Sequence, residues 1–413
     1  GIGDQAPNET VLGLLNELIR VLPSSNGYTV DVHNLIEGVE ETRLRPAYLT
    51  FTTPSDKHVI GFSEVYWQTI TNDALKLNDG QPPIPITTWA HSINTRLLGP
   101  GHDLAAWRDV IANVESLLRI VRKLAAISKK SETFVKITTR FLGDVQMYAE
   151  SDHIREKINN RFLSVLSRIH SFSEETREQL NLARFDSFEI YVVSHSEGTV
   201  VSLNSLVQAA MLVEGSVLHP HPDDEGWFAA AFEDEKKRIG AGGEPAQVWL
   251  ARIAGLVTFG SPIDKHHTIW RNRFRKNFLK VDRTAKIPWF NYWDRSDPVG
   301  YGLNEIFVDH SLPTTDARRV FAWPNDNGFT RYPIPGLAHV EYWTDRAILE
   351  DIIYNVMKLA GARPSQVKDA WWAPLQKPVD WVLYLLGRLA TAAVIGFFAY
   401  KIATLRVPFD VKD

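Results

Sequence analysis

The sequence predicts an α/β protein in which helices cover a mostly parallel sheet. Short apolar runs at 187–193, 253–259 and 288–293 are typical of buried parallel strands. Helical patterns separate these runs, and strands that alternate with helices favour a parallel sheet covered on both faces. Of the 413 residues, 44% are apolar and 23% are charged, which excludes a mainly disordered or fibrous chain.

Charge and cysteine content exclude several classes of function. The chain carries 45 Lys and Arg against 49 Asp and Glu, a formal net charge of −4. This balance argues against nucleic acid as the main partner, since duplex-binding proteins carry a basic surplus or stripe. The chain has no cysteine, so disulfides, thiolate metal sites and a Cys nucleophile are excluded.

The N-terminal part of the chain predicts one helix followed by short strands. Apolar residues at 11–22 recur with helical spacing, and Pro23 ends that pattern. Runs that predict β-strands follow at 28–32, 47–52 and 59–67.

A helical insertion is predicted at 84–183. Its longest apolar stripe runs from Leu104 to Leu124, and two more helical patterns follow at 134–148 and 153–171. Packing on the core is the simpler role for this insertion, and a lid or a membrane-contacting face is the alternative. The α/β core is then formed by 1–83 and 184–360, and an apolar tail occupies 361–413. Within the core, 219–245 has the composition of a loop and 300–337 that of an irregular segment.

The most informative segment is a Ser-x-Ser-x-Gly turn between a strand and a helix. It reads Ser194-His195-Ser196-Glu197-Gly198 and follows the apolar strand directly. This context is typical of the nucleophile elbow of α/β-hydrolases, in which a strained turn projects the central Ser above the sheet. Ser194 stands where the motif usually has Gly. The alternative interpretation is a Ser-rich loop whose serine caps a helix.

A serine nucleophile needs a base, and the base needs an orienting carboxylate. On this fold the chain order is Ser, then the acid, then His. Asp297 follows the predicted strand at 288–293, and His339 precedes a predicted helix at 343–360. Asp294 is the rival acid.

Four segments in this order resemble the class 3 lipases of the α/β-hydrolase fold. Besides the elbow, they are Thr258-Phe259-Gly260-Ser261-Pro262, Asp297-Pro298-Val299 and His339-Val340-Glu341-Tyr342-Trp343. The resemblance implies a serine hydrolase that cleaves carboxylic esters, with Ser196, Asp297 and His339 as its catalytic residues. It implies neither a cofactor nor a metal. A thioesterase or peptidase of the same fold, or an inactive interaction protein, is the alternative.

The resemblance also predicts an oxyanion hole. Many such enzymes have a His-Gly pair after an early strand, and Gly1-Ile2-Gly3-Asp4-Gln5 is similar to the continuation of that segment. The N–H groups of Ile2 and Glu197 would then bind the oxyanion, and the natural protein would extend before Gly1. The alternative is a flexible glycine-containing terminus.

Other titratable residues are expected to have structural roles. His195 adjoins the nucleophile but is predicted to pack rather than act as base, and His266 and His267 are predicted to be solvated or to line a pocket. A simple loop is a better explanation than a metal site for four further residues, His219, His221, Asp223 and Asp224.

The tail predicts membrane contact. Trp381 to Tyr400 holds one charged residue, Arg388, and is apolar on every side. Aromatic and basic residues lie at both ends, as at a membrane interface. We therefore expect the protein to associate with membranes through 379–406 and to act on lipid or other acyl esters. A long helix buried in the core is the alternative.

Overall fold

The structure is a computed structural model that describes residues 9–21, 29–33, 47–52, 57–76, 143–169, 178, 188–215, 225–270, 286–297, 299–303, 320–322, 324–332, 335–359 and 364–375. The chain divides into two compact units, Gly1–Val367 and Lys368–Asp413. Helices and strands of the first unit follow one another in this order: α1 (Glu9–Val21), β1 (Thr29–His33), β2 (Ala47–Thr52), β3 (Lys57–Phe62), α2 (Gln68–Lys76), α3 (143–150), α4 (Asp152–Ser167), β4 (Ile190–His195), α5 (Glu197–Gly215), α6 (Glu225–Gly240), α7 (Ala246–Leu250), β5 (Ile253–Phe259), α8 (Ile263–Ile269), β6 (Trp289–Asp294), β7 (Asn325–Phe329), α9 (Pro335–Val340), a 3₁₀ turn (Glu341–Thr344) and α10 (Arg346–Asp351), which continues as a π turn (Ile352–Val356).

The predicted parallel sheet consists of four strands in the order β4-β5-β6-β7. Ser194 lies opposite Thr258, and Val257 lies opposite Phe290. Helices α5, α8 and α9 each begin after a strand of this sheet. The described part of the chain therefore has the predicted α/β architecture.

The three early strands form a second sheet that is antiparallel. Thr29 pairs with Thr52 across β1 and β2, and Ala47 pairs with Phe62 across β2 and β3. Residues 53–56, between β2 and β3, are too few for the crossover that a parallel pair needs. The predicted parallel sheet thus consists of β4–β7, and β1–β3 form a separate antiparallel sheet.

The parallel sheet separates two hydrophobic cores. On one face, Ile190 and Val192 of β4 pack with Phe162 of α4 and Leu206 of α5. The other face joins Val257, Phe259 and Tyr292 to side chains of α1, α10 and the π turn. Fully burying one such side chain stabilises the fold by about 1.5–3 kcal/mol. Helix α4 belongs to the first core, so this part of the predicted insertion packs against the sheet's own helices.

Two segments without a predicted element contain regular structure. The predicted loop at 219–245 contains all of α6, which is followed by a turn at Gly242, where φ is +85°. In its C-terminal half, charged side chains three residues apart form ion pairs along the helix, as Glu233 does with Lys236. A strong apolar stripe is missing from this half of the helix. The predicted irregular segment at 300–337 contains β7, whose polar residues pair with β6.

The carboxyl ends of the parallel strands meet at one edge of the sheet. Ser196 follows β4, Gly260 follows β5, Asp297 lies just after β6, and His339 follows β7 on α9. In parallel sheets this edge is the usual place for a functional site.

Candidate active site

The turn after β4 holds Ser196 in a strained backbone conformation. Its φ is +57°, in the left-handed region that non-glycine residues seldom adopt. The Ser196 N–H donates to the carbonyl oxygen of Phe259 over 3.0 Å, and the Thr199 hydroxyl donates to the Ser196 carbonyl oxygen over 2.7 Å. These hydrogen bonds to the neighbouring strand and helix hold the backbone of Ser196 in its strained conformation. A nucleophile elbow requires such a turn.

Small residues two positions before and two positions after Ser196 allow the strand and helix to approach. A Cβ on Gly198 would lie 3.3 Å from the Trp67 ring, so a larger residue would force that ring to move. Ser194 occupies the position where the motif usually has Gly. Its hydroxyl is buried and hydrogen-bonded to that of Ser202, 2.9 Å away. The extra oxygen therefore has a partner, and the turn keeps its shape.

His339 lies between Ser196 and Asp297. Its Nε2 is 2.9 Å from Ser196 Oγ, and its Nδ1 is 3.0 Å from Asp297 Oδ2 and 3.1 Å from Oδ1. An ionised carboxylate can only accept hydrogen bonds, so Nδ1 carries the proton and the lone pair of Nε2 faces the serine hydroxyl. This tautomer lets the imidazole take a proton from Ser196, which is the geometry of general-base activation.

The Asp297 carboxylate is buried and multiply hydrogen-bonded. It accepts hydrogen bonds from the Tyr342 hydroxyl over 2.8 Å and from the Val299 N–H over 2.7 Å. Burial by itself raises the pKa of this carboxyl. The charge interaction with His339, its hydrogen bond and the N–H groups of Gly300 and Val299 outweigh burial and hold the pKa well below its usual range. Asp297 is therefore ionised at neutral pH and can orient His339.

Asp294, the rival acid, has other partners. Its Oδ1 accepts from the Ser296 N–H over 2.7 Å, and its Oδ2 accepts from the N–H groups of Arg331 and Tyr332 over 2.6 and 3.2 Å. These bonds tie the end of β6 to the segment after β7. The predicted hydrogen bond between His339 and Asp297, rather than Asp294, is confirmed.

One of the two predicted oxyanion donors, the N–H of Glu197, lies directly after the nucleophile. Glu197 is the first residue of α5, so its N–H lies at the positive end of a long helix, directly after Ser196. Ile2 lies outside the described residues, as do His219, His221, Asp223 and Asp224. Within the described ranges, no group of three or more His, Asp or Glu side chains is arranged to hold a metal ion.

The Glu197 side chain is buried beside α8. Its Oε2 is 2.9 Å from His266 Nε2, although the ring N–H is not aligned for a hydrogen bond. His266 and His267 are both about 5% exposed. Of the two predicted roles for these histidines, solvated or pocket-lining, the solvated one is therefore wrong. The reason is that α8 turns them against the protein, where the His266 ring packs on Trp270.

Sequence reasoning did not assign a role to Tyr342, Gly260 or Gly300. A Cβ on Gly260 would lie 2.7 Å from Asp297 Oδ2 and 3.1 Å from His339 Nδ1, and one on Gly300 would lie 2.6 Å from the same Oδ2. Both glycines thus leave room for the acid. All three residues lie within or beside the segments 258–262, 297–299 and 339–343 that the sequence analysis singled out, and this proximity was the available signal.

Comparison of the chain with protein-family models, with curated proteins and with solved structures gives no match.

Proposed function

We propose that this chain is a serine hydrolase of the α/β-hydrolase fold that cleaves carboxylic esters through an acyl-enzyme. One observation carries the proposal: Ser196 Oγ, His339 and Asp297 form a continuous hydrogen-bonded series with links of 2.9 and 3.0 Å. The positive φ of Ser196, at the end of a parallel strand, supports the same function, since it is the strain expected of a nucleophile elbow.

The reaction follows from the protonation states of this series. His339 Nε2 takes the Ser196 proton while Oγ forms a bond to the carbonyl carbon of the ester. The resulting imidazolium is held by the ionised Asp297 carboxylate and returns the proton to the leaving alkoxide as the carbon–oxygen bond breaks. Water then repeats the sequence on the acyl-Ser196 ester, releasing the acid and restoring the serine.

The oxyanion formed in each step needs hydrogen-bond donors at fixed positions. The proposal assigns this role to the Glu197 N–H, at the start of α5, and to the Ile2 N–H. Two preorganised donors in a water-poor site stabilise the tetrahedral intermediate by several kcal/mol. Because Glu197 follows Ser196 directly, nucleophile and donor are positioned by one turn.

The proposed substrates are lipids or other acyl esters held at a membrane. Support comes from the resemblance to class 3 lipases and from the apolar segment 381–400, which lies outside the described residues. In the second unit, Trp371 is 87% exposed, and tryptophan is enriched at membrane interfaces. Among the described residues, no helix is both long and apolar enough to cross a bilayer.

Labelling with a fluorophosphonate probe tests the proposed function. We expect the wild-type chain to be labelled and Ser196→Ala to be unlabelled, with kcat toward a short-chain ester lowered by several orders of magnitude. Ser205→Ala is the matched control, because Ser205 is a buried serine on α5, the helix that begins directly after Ser196, and its hydroxyl makes no hydrogen bond. It should label like the wild type. Equal labelling of Ser196→Ala would contradict the proposal.

A set of an ester, a thioester and an anilide with the same acyl group separates the alternatives. The proposal expects the ester to be cleaved with the highest kcat/KM. A strong preference for the anilide or the thioester would instead indicate a peptidase or a thioesterase acting through the same three residues.

A further inference from the structure

His195 makes a direct hydrogen bond to the residue that carries the base. Its Nε2 lies 2.6 Å from the backbone carbonyl oxygen of His339. A carbonyl oxygen only accepts, so His195 Nε2 carries a proton and donates it. The two imidazole rings are 4.7 Å apart between centroids and tilted by 34°. His195 therefore contacts both the backbone and the ring of His339.

His195 lies between the sheet and the nucleophile in the chain. His195 is the last residue of β4, where it pairs with Phe259, and Ser196 follows it directly. Ser196 and His339 are 143 residues apart in sequence, so only tertiary contacts fix the distance between them. The hydrogen bond from His195 links β4, the strand that leads directly to Ser196, to α9, the helix that holds His339.

The ring of His195 keeps its donor at all working pH values. Burial is the main cause that lowers the pKa of His195 to about 3, and the charge on His339 is the second cause. A neutral ring beside His339 does not repel the imidazolium that forms there during the proposed reaction. Its single N–H is used in the bond to the His339 carbonyl oxygen. Tyr342 and Trp343 enclose the ring at centroid distances of 5.9 and 5.8 Å.

We propose that His195 is a positioning residue, whose Nε2–H bond to the His339 carbonyl holds the base in register with Ser196. This inference rests on the proposed function, since it concerns the geometry of that reaction. A displacement of about 1 Å in a reacting group can cost about 100-fold in rate, so losing one short bond at this place should affect kcat more than KM.

Two pairs of substitutions test the hydrogen bond separately from the packing. In His195→Gln, the amide nitrogen is the same number of bonds from the backbone as Nε2, so the donor is kept. In His195→Asn it is one bond closer and does not reach, and His195→Phe keeps a ring but has no donor. The exposed His153→Gln on α4 is the matched control for the exchange itself.

We expect His195→Phe and His195→Asn to lower kcat toward a short-chain p-nitrophenyl ester by about 10- to 100-fold, with KM changed less than about twofold. His195→Gln should recover kcat to within about fivefold of the wild type, and His153→Gln should match it. Thermal unfolding is recorded for every variant. Should His195→Phe fail to fold, the Asn and Gln variants decide alone, because they differ by a single methylene.

Three outcomes would overturn the role of His195. One is a kcat unchanged in the Phe and Asn variants, and the second is an equal loss of kcat in Gln and Asn. The third is a lower unfolding temperature with normal kcat, which would mean that His195 only stabilises the fold. Failure of the proposed function has a different signature: the wild-type chain itself would then show neither ester cleavage nor fluorophosphonate labelling.

Discussion

Asp294 and Asp297 are three residues apart and both buried, yet their carboxylates have different kinds of partner. Asp297 faces an imidazole and a phenol, whereas Asp294 accepts backbone N–H groups on both oxygens. Burial raises the pKa of Asp294 despite these N–H groups, whereas the charge on His339 keeps the pKa of Asp297 low. The Asp294 carboxylate is therefore suited to tying two loop segments together, and the Asp297 carboxylate is suited to orienting a base.

Exchanging each aspartate for asparagine separates these two roles. Asp297→Asn should lower kcat by about 10⁴-fold with little loss of stability, because an amide can hold His339 in the wrong tautomer. Asp294→Asn should lower the free energy of unfolding by about 1–3 kcal/mol, since one side-chain NH₂ would face the N–H groups of Arg331 and Tyr332. Steady-state kinetics and urea denaturation of both variants measure the difference. A larger loss of kcat in Asp294→Asn would contradict the assignment of the acid.

Tyr342 joins both aspartates through one hydroxyl. Its O–H donates to Asp297 Oδ2 over 2.8 Å and accepts from the Asp294 N–H over 2.9 Å. Burial is the main cause that raises the pKa of Tyr342 well above its ordinary value, and the charge of Asp297 is the second. The hydroxyl therefore remains a donor.

Tyr342→Phe should lower both activity and stability. The ring would still pack on Phe259, but the buried Asp294 N–H would lose its partner, at a cost of about 1–3 kcal/mol. Losing a donor to Asp297 should lower kcat by about tenfold, given that a hydrogen bond to a charged group is worth about 1.5–3 kcal/mol. Kinetics and urea denaturation test both effects. Wild-type kcat in Tyr342→Phe would show that the hydroxyl does not help to position the acid.

The turn after β5 lies beside the acid and the base of the candidate site. Gly260 has a φ of +51°, and its missing side chain leaves the space filled by Asp297, Tyr342 and His339. The neighbouring Ser261 is hydrogen-bonded to Thr199 on α5 over 2.9 Å. This turn therefore contacts the acid and the base and is tied to the helix after the nucleophile.

Gly260→Ala and Gly242→Ala form a matched pair for this turn. Both glycines have positive φ, so each alanine should destabilise the fold by about 1–2 kcal/mol. A Cβ at Gly242 meets open space, whereas one at Gly260 would lie 2.7 Å from Asp297 Oδ2. We expect only Gly260→Ala to lose fluorophosphonate labelling and ester cleavage. If both variants retain activity equally, the Asp297–His339 pair tolerates the intrusion and the proposed role of this turn is wrong.

The elements that carry the site could be predicted because their patterns are local. The continuous apolar runs of β4 and β5 and the Ser-x-Ser-x-Gly turn need no knowledge of distant residues. Strand β7 could not be found in this way, since Asn-Asp-Asn-Gly-Phe lacks strand preference. It is held by tertiary contacts: Asp326 accepts from Asn291 over 2.7 Å, and Gly328 leaves room for the Trp293 ring.

The same distinction applies within the site. Ser196, Asp297 and His339 follow from the order of short motifs. The hydroxyl of Tyr342 meets Asp297 across 45 residues of sequence, and the imidazole of His195 meets the His339 carbonyl across 144. Such contacts arise only when four strand ends meet at one edge of the sheet, so no local pattern specifies them.

At the scale of the whole molecule, the proposed chemistry and the proposed membrane contact belong to different parts of the chain. The candidate site lies in the first compact unit, and segment 381–400 belongs to the second. If both proposals are right, the two properties can be separated experimentally. The apolar segment would concentrate the enzyme on lipid, and the site would cleave any ester that reaches Ser196, including one dissolved in water.

Deleting 379–413 should therefore abolish binding to liposomes while cleavage of a water-soluble short-chain ester continues at about the wild-type kcat. The full-length variant Ile395→Asp tests the apolar character of the segment separately, because it keeps the length of the tail. A charge placed within the apolar segment makes its transfer into the bilayer less favourable, so this variant should bind liposomes more weakly. Liposome flotation and ester hydrolysis are measured on all three forms. If the deletion instead abolishes soluble ester cleavage and cooperative unfolding, the segment belongs to the folded core. In that case, the tail stabilises the enzyme, and its apolar character reflects burial rather than contact with lipid.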